Sequence, residues 1–260
     1  MDNYRKHHAL SNSDLNNFEK SIHHYIIGRE QQTEPTPAMK FGTMLHEYIL
    51  EPNVFMNKYK VLNLDERPEP TKAMNSKLNI AWKKELTEKY TLIEETELQE
   101  VQRLKRNFDR VANEINLDLS KCKLEQEIYF NVLDGKLQCK SKLDIIDLEN
   151  NIIYDLKTGQ DVYDEKKLTN SIINFKYYRQ AEFYRQAAIK EYKKDFDFKF
   201  IFLDKNSDLV RLVKLHEKFE ERANLELVLL LTDYVAYKNK PEIYSIYVDN
   251  EIILEAPAWF

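Results

Sequence analysis

The stretch that decides the fold is residues 123–159, KLEQEIYFNVLDGKLQCKSKLDIIDLENNIIYDLKTG. Apolar and polar residues alternate through KLEQEIYFNVL, and Asp134-Gly135 then supplies two residues that tolerate the positive φ of a type I′ turn. KLQCKSKLDIIDL runs back, Glu149-Asn150-Asn151 turns the chain again, and IIYDLK follows, which makes a three-stranded meander. Beyond it the pattern predicts a helix over about 175–192, strands FDFKFIFLD and DLVRLVKL joined at Lys205-Asn206-Ser207, and a helix over about 216–238. Before it come a helix over 13–27, capped by Ser13 and closed by Gly28, and a helix that starts at Pro37 behind Thr36 and ends near Pro52. Residues 60–75, with Pro68 and Pro70, read as loop, and 73–90 as helix. Leu98, Val101, Leu104, Phe108, Val111 and Ile115 put a helical stripe on 96–115.

This order predicts a mixed α/β fold, a central sheet flanked by helices, as a single domain over 1–260. Its parts are a helical portion 1–120, the meander 121–160, a helix-strand-strand-helix portion 161–240, and an apolar tail 241–260 expected to pack on the body. The 43% apolar fraction supports one sizeable core, and the mixed-sign 32% charged fraction argues against global disorder. The net charge of −5 speaks against a basic nucleic-acid coat, but not against an enzyme whose carboxylates hold metal. There is no apolar run long enough to span a membrane and no signal-peptide h-region, so a cytoplasmic setting is expected. Cys122 and Cys139 are too few for a disulfide framework or a thiolate metal site, and read as strand residues. Four glycines leave no phosphate-binding Gly-rich loop.

Asp144 lies near the end of the second strand of the meander, and Asp155 and Lys157 share one face of the third, amid Ile152, Ile153 and Leu156. Two carboxylates on adjacent buried strands, with a lysine beside them, suit a hard divalent cation; a strand-edge salt bridge is the plainer alternative. His46 lies on a helix apolar almost all round, with Gly42 one turn earlier, and is either a satisfied core histidine or a metal ligand. Gln180 and Tyr184 share a helix face among Tyr177, Ala181, Ala187 and Ala188, where Gln180 needs a partner, backbone or otherwise. Glu127 alternates in phase with Glu125 and Tyr129 and faces either a cleft or solvent.

In chain order FGTMLH, LQCKSKLD, YDLKTG and QAEFY form a pattern that resembles the PD-(D/E)xK nuclease superfamily. LSNSDLNNF, GTMLHEYILEPNVF and the closing PAWF resemble its RecE-type exonucleases (exonuclease VIII), encoded mostly by phages and prophages. The resemblance implies a restriction-endonuclease-like fold in which His46, Asp144, Asp155 and the Leu156 carbonyl bind metal. It gives Lys157 the attacking water, places Gln180 and Tyr184 along the cleft, and sets Ser13 and Lys142 at a 5′ phosphate. Leu143 stands where the family often has proline, and Asp155 is the shorter of its two acids. The implied activity is Mg²⁺-dependent exonucleolysis, with Mn²⁺ as substitute, running 5′ to 3′ from double-stranded DNA ends and leaving 3′ tails. Implied partners are a single-strand-annealing recombination protein and further copies in a trimeric or tetrameric ring, in a bacterial host cell. No iron–sulfur cluster is implied, since that branch's four cysteines are missing. Two other uses fit the same residues: an endonuclease or repair nuclease, and a non-catalytic DNA-binding scaffold.

Overall fold

The computed structural model describes residues 2–30 and 34–240. A short helix α1 (Asp2–Lys6) precedes α2 (Asn12–Lys20). Ser11 rather than Ser13 caps α2: its hydroxyl takes the Asp14 N–H, and the Asp14 carboxylate takes the Ser11 N–H at 2.8 Å, a reciprocal box. The helix expected over 13–27 divides at Ser21, whose extended backbone stops α2 and whose hydroxyl accepts the His24 N–H to begin α3 (Ile22–Glu30). Gly28 therefore sits inside α3, where a Cβ would collide with the Asn17 amide of α2; it is a packing glycine, not a helix stop.

Thr36 and Pro37 open α4 (Pro37–Leu50) as predicted. Pro52 does not end structure but starts α5 (Pro52–Lys58), because its missing N–H is equally harmless at a first helical position. The segment read as loop begins with β1 (Tyr59–Val61), which pairs in parallel with β2 (Thr91–Ile93) across α6 (Lys77–Lys89). Three-residue strands carry no readable period. α7 (Glu95–Glu114) buries Val101, Leu104 and Phe108 as its stripe requires.

The main sheet runs β3 (Lys123–Val132), β4 (Leu137–Asp147), β5 (Ile152–Gly159), β6 (Asp197–Asp204), β7 (Val210–Lys214), in that spatial order. Only β5 and β6 are parallel, so a crossover must join them. That crossover is α8 (Glu165–Asn174) and α9 (Tyr177–Tyr192); α10 (Glu217–Asn239) follows β7. α8 escaped the sequence reading because Leu168 and Ile172 alone tie it to the core. Cys139 lies in β4, whereas Cys122 sits one residue before β3. At the β3–β4 hairpin Gly135 N–H reaches Val132 O at 3.2 Å and Lys136 N–H reaches Leu133 O at 3.1 Å. Leu133, Asp134 and Gly135 all have positive φ, so two turns overlap where one was predicted. The apolar tail lies outside the described residues.

Two core layers sandwich the sheet. Phe130, Cys139, Ile153, Phe198, Phe200 and Phe202 face α2, α3, α9 and α10, while Ile145, Tyr154, Leu156, Ile201 and Leu203 face α4, α5 and α7. Side-chain alternation slips once in each of two strands. Leu124 faces the second layer but Ile128 and Phe130 the first; Leu143 faces the first and Ile145 the second. The slips fall at Glu125, with φ 49°, and at Asp144, which stand opposite each other where the β3–β4 pairing is interrupted. β4 pairs with β5 only from Ile145–Tyr154 to Asp147–Ile152, and beyond that the strands part while β5 stays with β6 up to Gly159–Asp204. Leu10 fills the edge that β5 abandons: its N–H donates to Gln138 O at 3.0 Å and its carbonyl accepts from Lys140 N–H at 2.8 Å.

Phe200 is fully buried and touches the rings of Tyr177, Phe198 and Phe202. Phe200→Ala is expected to cost about 3–5 kcal/mol of unfolding free energy, read from chemical denaturation; a loss below about 1 kcal/mol would show that this layer repacks freely.

Candidate metal centre and catalytic cleft

The cleft opens where β4 and β5 separate. Asp144 would there lose its ladder partner, and instead its Oδ2 accepts the Leu156 N–H at 2.7 Å. The freed Leu156 carbonyl accepts from His46 Nε2 at 2.9 Å. A carbonyl only accepts, so Nε2 carries the hydrogen, and Nδ1 is the nitrogen turned toward the carboxylates. It lies 3.6 Å from Asp144 Oδ2 and 3.7 Å from Glu125 Oε1. Burial pulls the imidazolium pKa down, but Asp144 and Glu125 outweigh it and lift it to about 9. Burial pushes the Asp144 carboxyl up to about 7, against the pull of His46. Burial also works against the Glu125 charge, yet His46 and Lys142 hold that carboxyl below its usual range.

Asp155 is buried on the face of β5 toward α9. Its Oδ1 accepts from Gln180 Nε2 at 3.2 Å and its Oδ2 lies 2.5 Å from Lys157 Nζ. The Lys157 ammonium also lies 5.0 Å from the centre of the Tyr177 ring. Burial opposes its charge, but Asp155 and Asp144 prevail and its pKa stands above the lysine value, so it works as a cation and not as a base. Tyr184 is close enough for burial, and then the Asp155 carboxylate, to raise its hydroxyl well above the usual range. Gln180 thus reaches Asp155 from α9, and Tyr184 stands one turn further along the same helix.

His46, Glu125 and Asp144 bring one ligand atom each within 4.8 Å of one another. The donor set, one imidazole nitrogen and two carboxylates, suits a divalent cation. Glu125 Oε1 is sealed from solvent and its nearest ion-pair partner, His46 Nδ1, stands 3.7 Å away, beyond hydrogen-bond distance, so a cation displacing the imidazole proton would satisfy it better. Asp155 and the Leu156 carbonyl, expected as ligands, border this cluster but are engaged by Lys157 and His46.

Glu125 escaped the sequence reading because strict alternation puts it beside Glu127 and Tyr129 on an outer face; its left-handed φ turns it inward. The one cue was two acids in LEQE, of which Glu127 is exposed and takes only a weak contact from Tyr129, 3.4 Å away. Lys142 forms ion pairs with Glu125 and, at 3.6 Å, Glu51. Ser13 is exposed in the first turn of α2, its hydroxyl 2.9 Å from that of Ser11.

Metal binding must expel protons from this cluster, so affinity should rise with pH. Below pH 7 both His46 and Asp144 release one, at about 100-fold per unit; from 7 to about 9 only His46 does, at about tenfold, and above that affinity levels. Calorimetric Mg²⁺ titration between pH 6 and 9.5 checks this, and a pH-independent affinity would take both residues out of the ligand set. In the same assay Glu125→Gln should weaken binding by about tenfold or more, and Glu127→Gln by less than about twofold.

The family described as a PDDEXK-like domain of unknown function (DUF3799) matches residues 11–242. A crystal structure of a protein from Eubacterium rectale, provisionally named an exonuclease, aligns with a TM-score of 0.63 at 14% identity, over 98% of this chain and 92% of that one. At that identity the likeness speaks for the fold alone. SSO0001 aligns at a TM-score of 0.30 and 14% identity, over 74% of this chain and 86% of that one, too weakly to bear on it. No curated protein matches the chain. Because the family match takes in the meander, the crossover helices and every residue of the cleft, the chain belongs to this PDDEXK-like family, and its five-stranded mixed sheet flanked by helices is a nuclease fold.

Proposed function

We propose that the protein is a divalent-metal-dependent exonuclease acting on double-stranded DNA. The observation that carries the reading is the pairing of an ion-ready cluster, His46, Glu125 and Asp144, with the Asp155–Lys157 pair across the strand break. A decayed nuclease fold kept as a scaffold would not need to keep so many buried charges in register.

The cation, Mg²⁺ with Mn²⁺ as substitute, would supply Lewis acidity to the phosphodiester and lower the pKa of a water. The chain's own groups do the rest. Lys157 holds a fixed positive charge beside Asp155, suited to orient a water and to offset charge that builds on the phosphoryl oxygens. Gln180 fixes Asp155 from α9, and so fixes Lys157 through it. The partly buried hydrogen bond from His46 to the Leu156 carbonyl fixes the imidazole orientation.

Digestion from a duplex end in the 5′ to 3′ direction, delivery of 3′ tails to a strand-annealing protein, and a ring of three or four copies are the finer parts of the proposal. They rest on the resemblance to RecE-type enzymes; the exonuclease name of the Eubacterium rectale protein agrees with digestion from an end and says nothing of its direction. Lys142 is free to meet a 5′ phosphate only by leaving Glu125, which ties end recognition to the metal cluster.

A gel assay with Mg²⁺ tests the reading on linear duplex with a 5′ phosphate, the same duplex without it, and covalently closed circles. The expected outcome is loss of the 5′-phosphorylated strand with circles intact, and a fall of about 10²–10⁴-fold in Lys157→Ala. Cutting of circles would make the protein an endonuclease, and a Lys157→Ala variant with most of its activity would displace the site.

A further inference from the structure

Phe175 is 61% exposed, whereas every other phenylalanine among the described residues is buried or half-buried. It occupies the two-residue link between α8 and α9. Lys176, the second link residue, has φ 56°, and this left-handed reversal lets the Phe175 ring stack on Tyr177 at 5.5 Å between centroids and 30° between planes. The Tyr177 ring in turn lies beside Lys157 and packs against Phe200 and Phe202 at 5.9 and 6.1 Å. A continuous path therefore leads from the fixed cation of the cleft, through one anchored ring, to a second ring whose outer face meets solvent.

That outer face contributes nothing to the core. It is also too small for a protein interface, which needs roughly 800 Å² per partner. Exposed Ile173 and Asn174 precede it and half-buried Lys176 follows. Lys176 turns its ammonium to Glu19, 3.5 Å away, and to the Tyr178 hydroxyl, so the positive charge on this path is that of Lys157, beyond the Tyr177 ring. A solvent-facing ring two contacts from the group that would meet a phosphodiester matches what a nucleobase requires: a π-surface for the base, with positive charge for its backbone at Lys157.

We propose that Phe175 is a nucleobase-stacking residue, and that a base of the DNA strand entering the cleft lies on the ring face opposite Tyr177. The proposal rests on the nuclease reading and adds a contact to it. Stacking on Phe is indifferent to base identity, so it would hold any sequence in place beside Lys157.

The test is equilibrium binding of the full chain to a fluorescein-labelled, 5′-phosphorylated duplex in Ca²⁺, which keeps the DNA intact. Phe175→Ala should raise Kd about 5- to 150-fold, the equivalent of ~1–3 kcal/mol, with melting temperature and Mg²⁺ affinity unchanged. Phe175→Trp should restore binding to within about twofold, and its added indole emission should fall when DNA is bound. A Phe175→Ala variant that binds like the native chain, or an indole that does not respond, would overturn the stacking role. The same holds if Phe175→Ala alters only self-association, followed by light scattering, since the ring would then serve a second copy. Failure of the native chain itself to bind DNA would overturn the nuclease reading as well, so the two failures are distinguishable.

Discussion

The Leu156 N–H, donated to the Asp144 carboxylate and not to a strand carbonyl, is the interaction on which the site depends. A buried N–H cannot be left unpaired without a cost of about 1–3 kcal/mol. By accepting it, Asp144 lets β5 leave β4 after three residue pairs and continue with β6 alone. The departure exposes an edge of β4, which Leu10 covers, and frees the Leu156 carbonyl for His46. Asp144 and Asp155 then face each other across a gap instead of within a ladder. One carboxylate thus both opens the cleft and furnishes it.

The charges around that gap are arranged in opposition. Glu125, Asp144 and Asp155 stand against His46, Lys142 and Lys157, and every pair is wholly or partly withdrawn from water. Such networks are weak stabilisers, because desolvation offsets most of the Coulomb gain. The two raised pKa values have different origins: burial lifts that of Asp144, while for His46 burial is outweighed by Asp144 and Glu125. Glu125 adds local strain, since a non-glycine residue in the left-handed region costs of order 1 kcal/mol. Strain and perturbed titration meet at this one point of the sheet, which is what singles it out as the candidate site.

The parts legible in the sequence were those with a local period. The meander, the α7 stripe, the Thr36–Pro37 helix start and the β6–β7 pair all announce themselves within a dozen residues. Asp144, Asp155, Lys157, His46 and the Gln180–Tyr184 face stood out by type and spacing, but each alone also read as a salt bridge or a core residue, and it was the resemblance of their chain order to a nuclease pattern that joined them into one candidate site. Glu125 could not, because finding it needs the backbone slip that turns it inward, and nothing in LEQEI encodes that slip apart from the strand opposite. The β1–β2 pair is hidden for a similar reason: its strands are three residues long and pair residues 32 positions apart, Tyr59 with Thr91. The division of α2 from α3 turns on one serine that serves as both stop and cap, where a continuous apolar pattern suggests none.

The single parallel pairing in the sheet explains why helix residues share the cleft with strand residues. A parallel neighbour cannot be reached by a hairpin, so the chain must leave the end of β5, cross one face and return. It leaves just past Lys157, and the returning helix α9 begins at Tyr177, against that same strand end. Gln180 lies one turn into α9 and reaches Asp155 without any loop having to be ordered, and Tyr184 follows another turn on. Placement by a strand end and a helix start is stiffer than placement by loops. The one irregular point in that path is the left-handed residue Lys176, which lets the chain double back tightly enough for Phe175 to remain on the cleft side of the crossover and stack on Tyr177. The constraint that makes β5 and β6 parallel is therefore the same one that brings the aromatic and amide groups of α9 to Asp155 and Lys157.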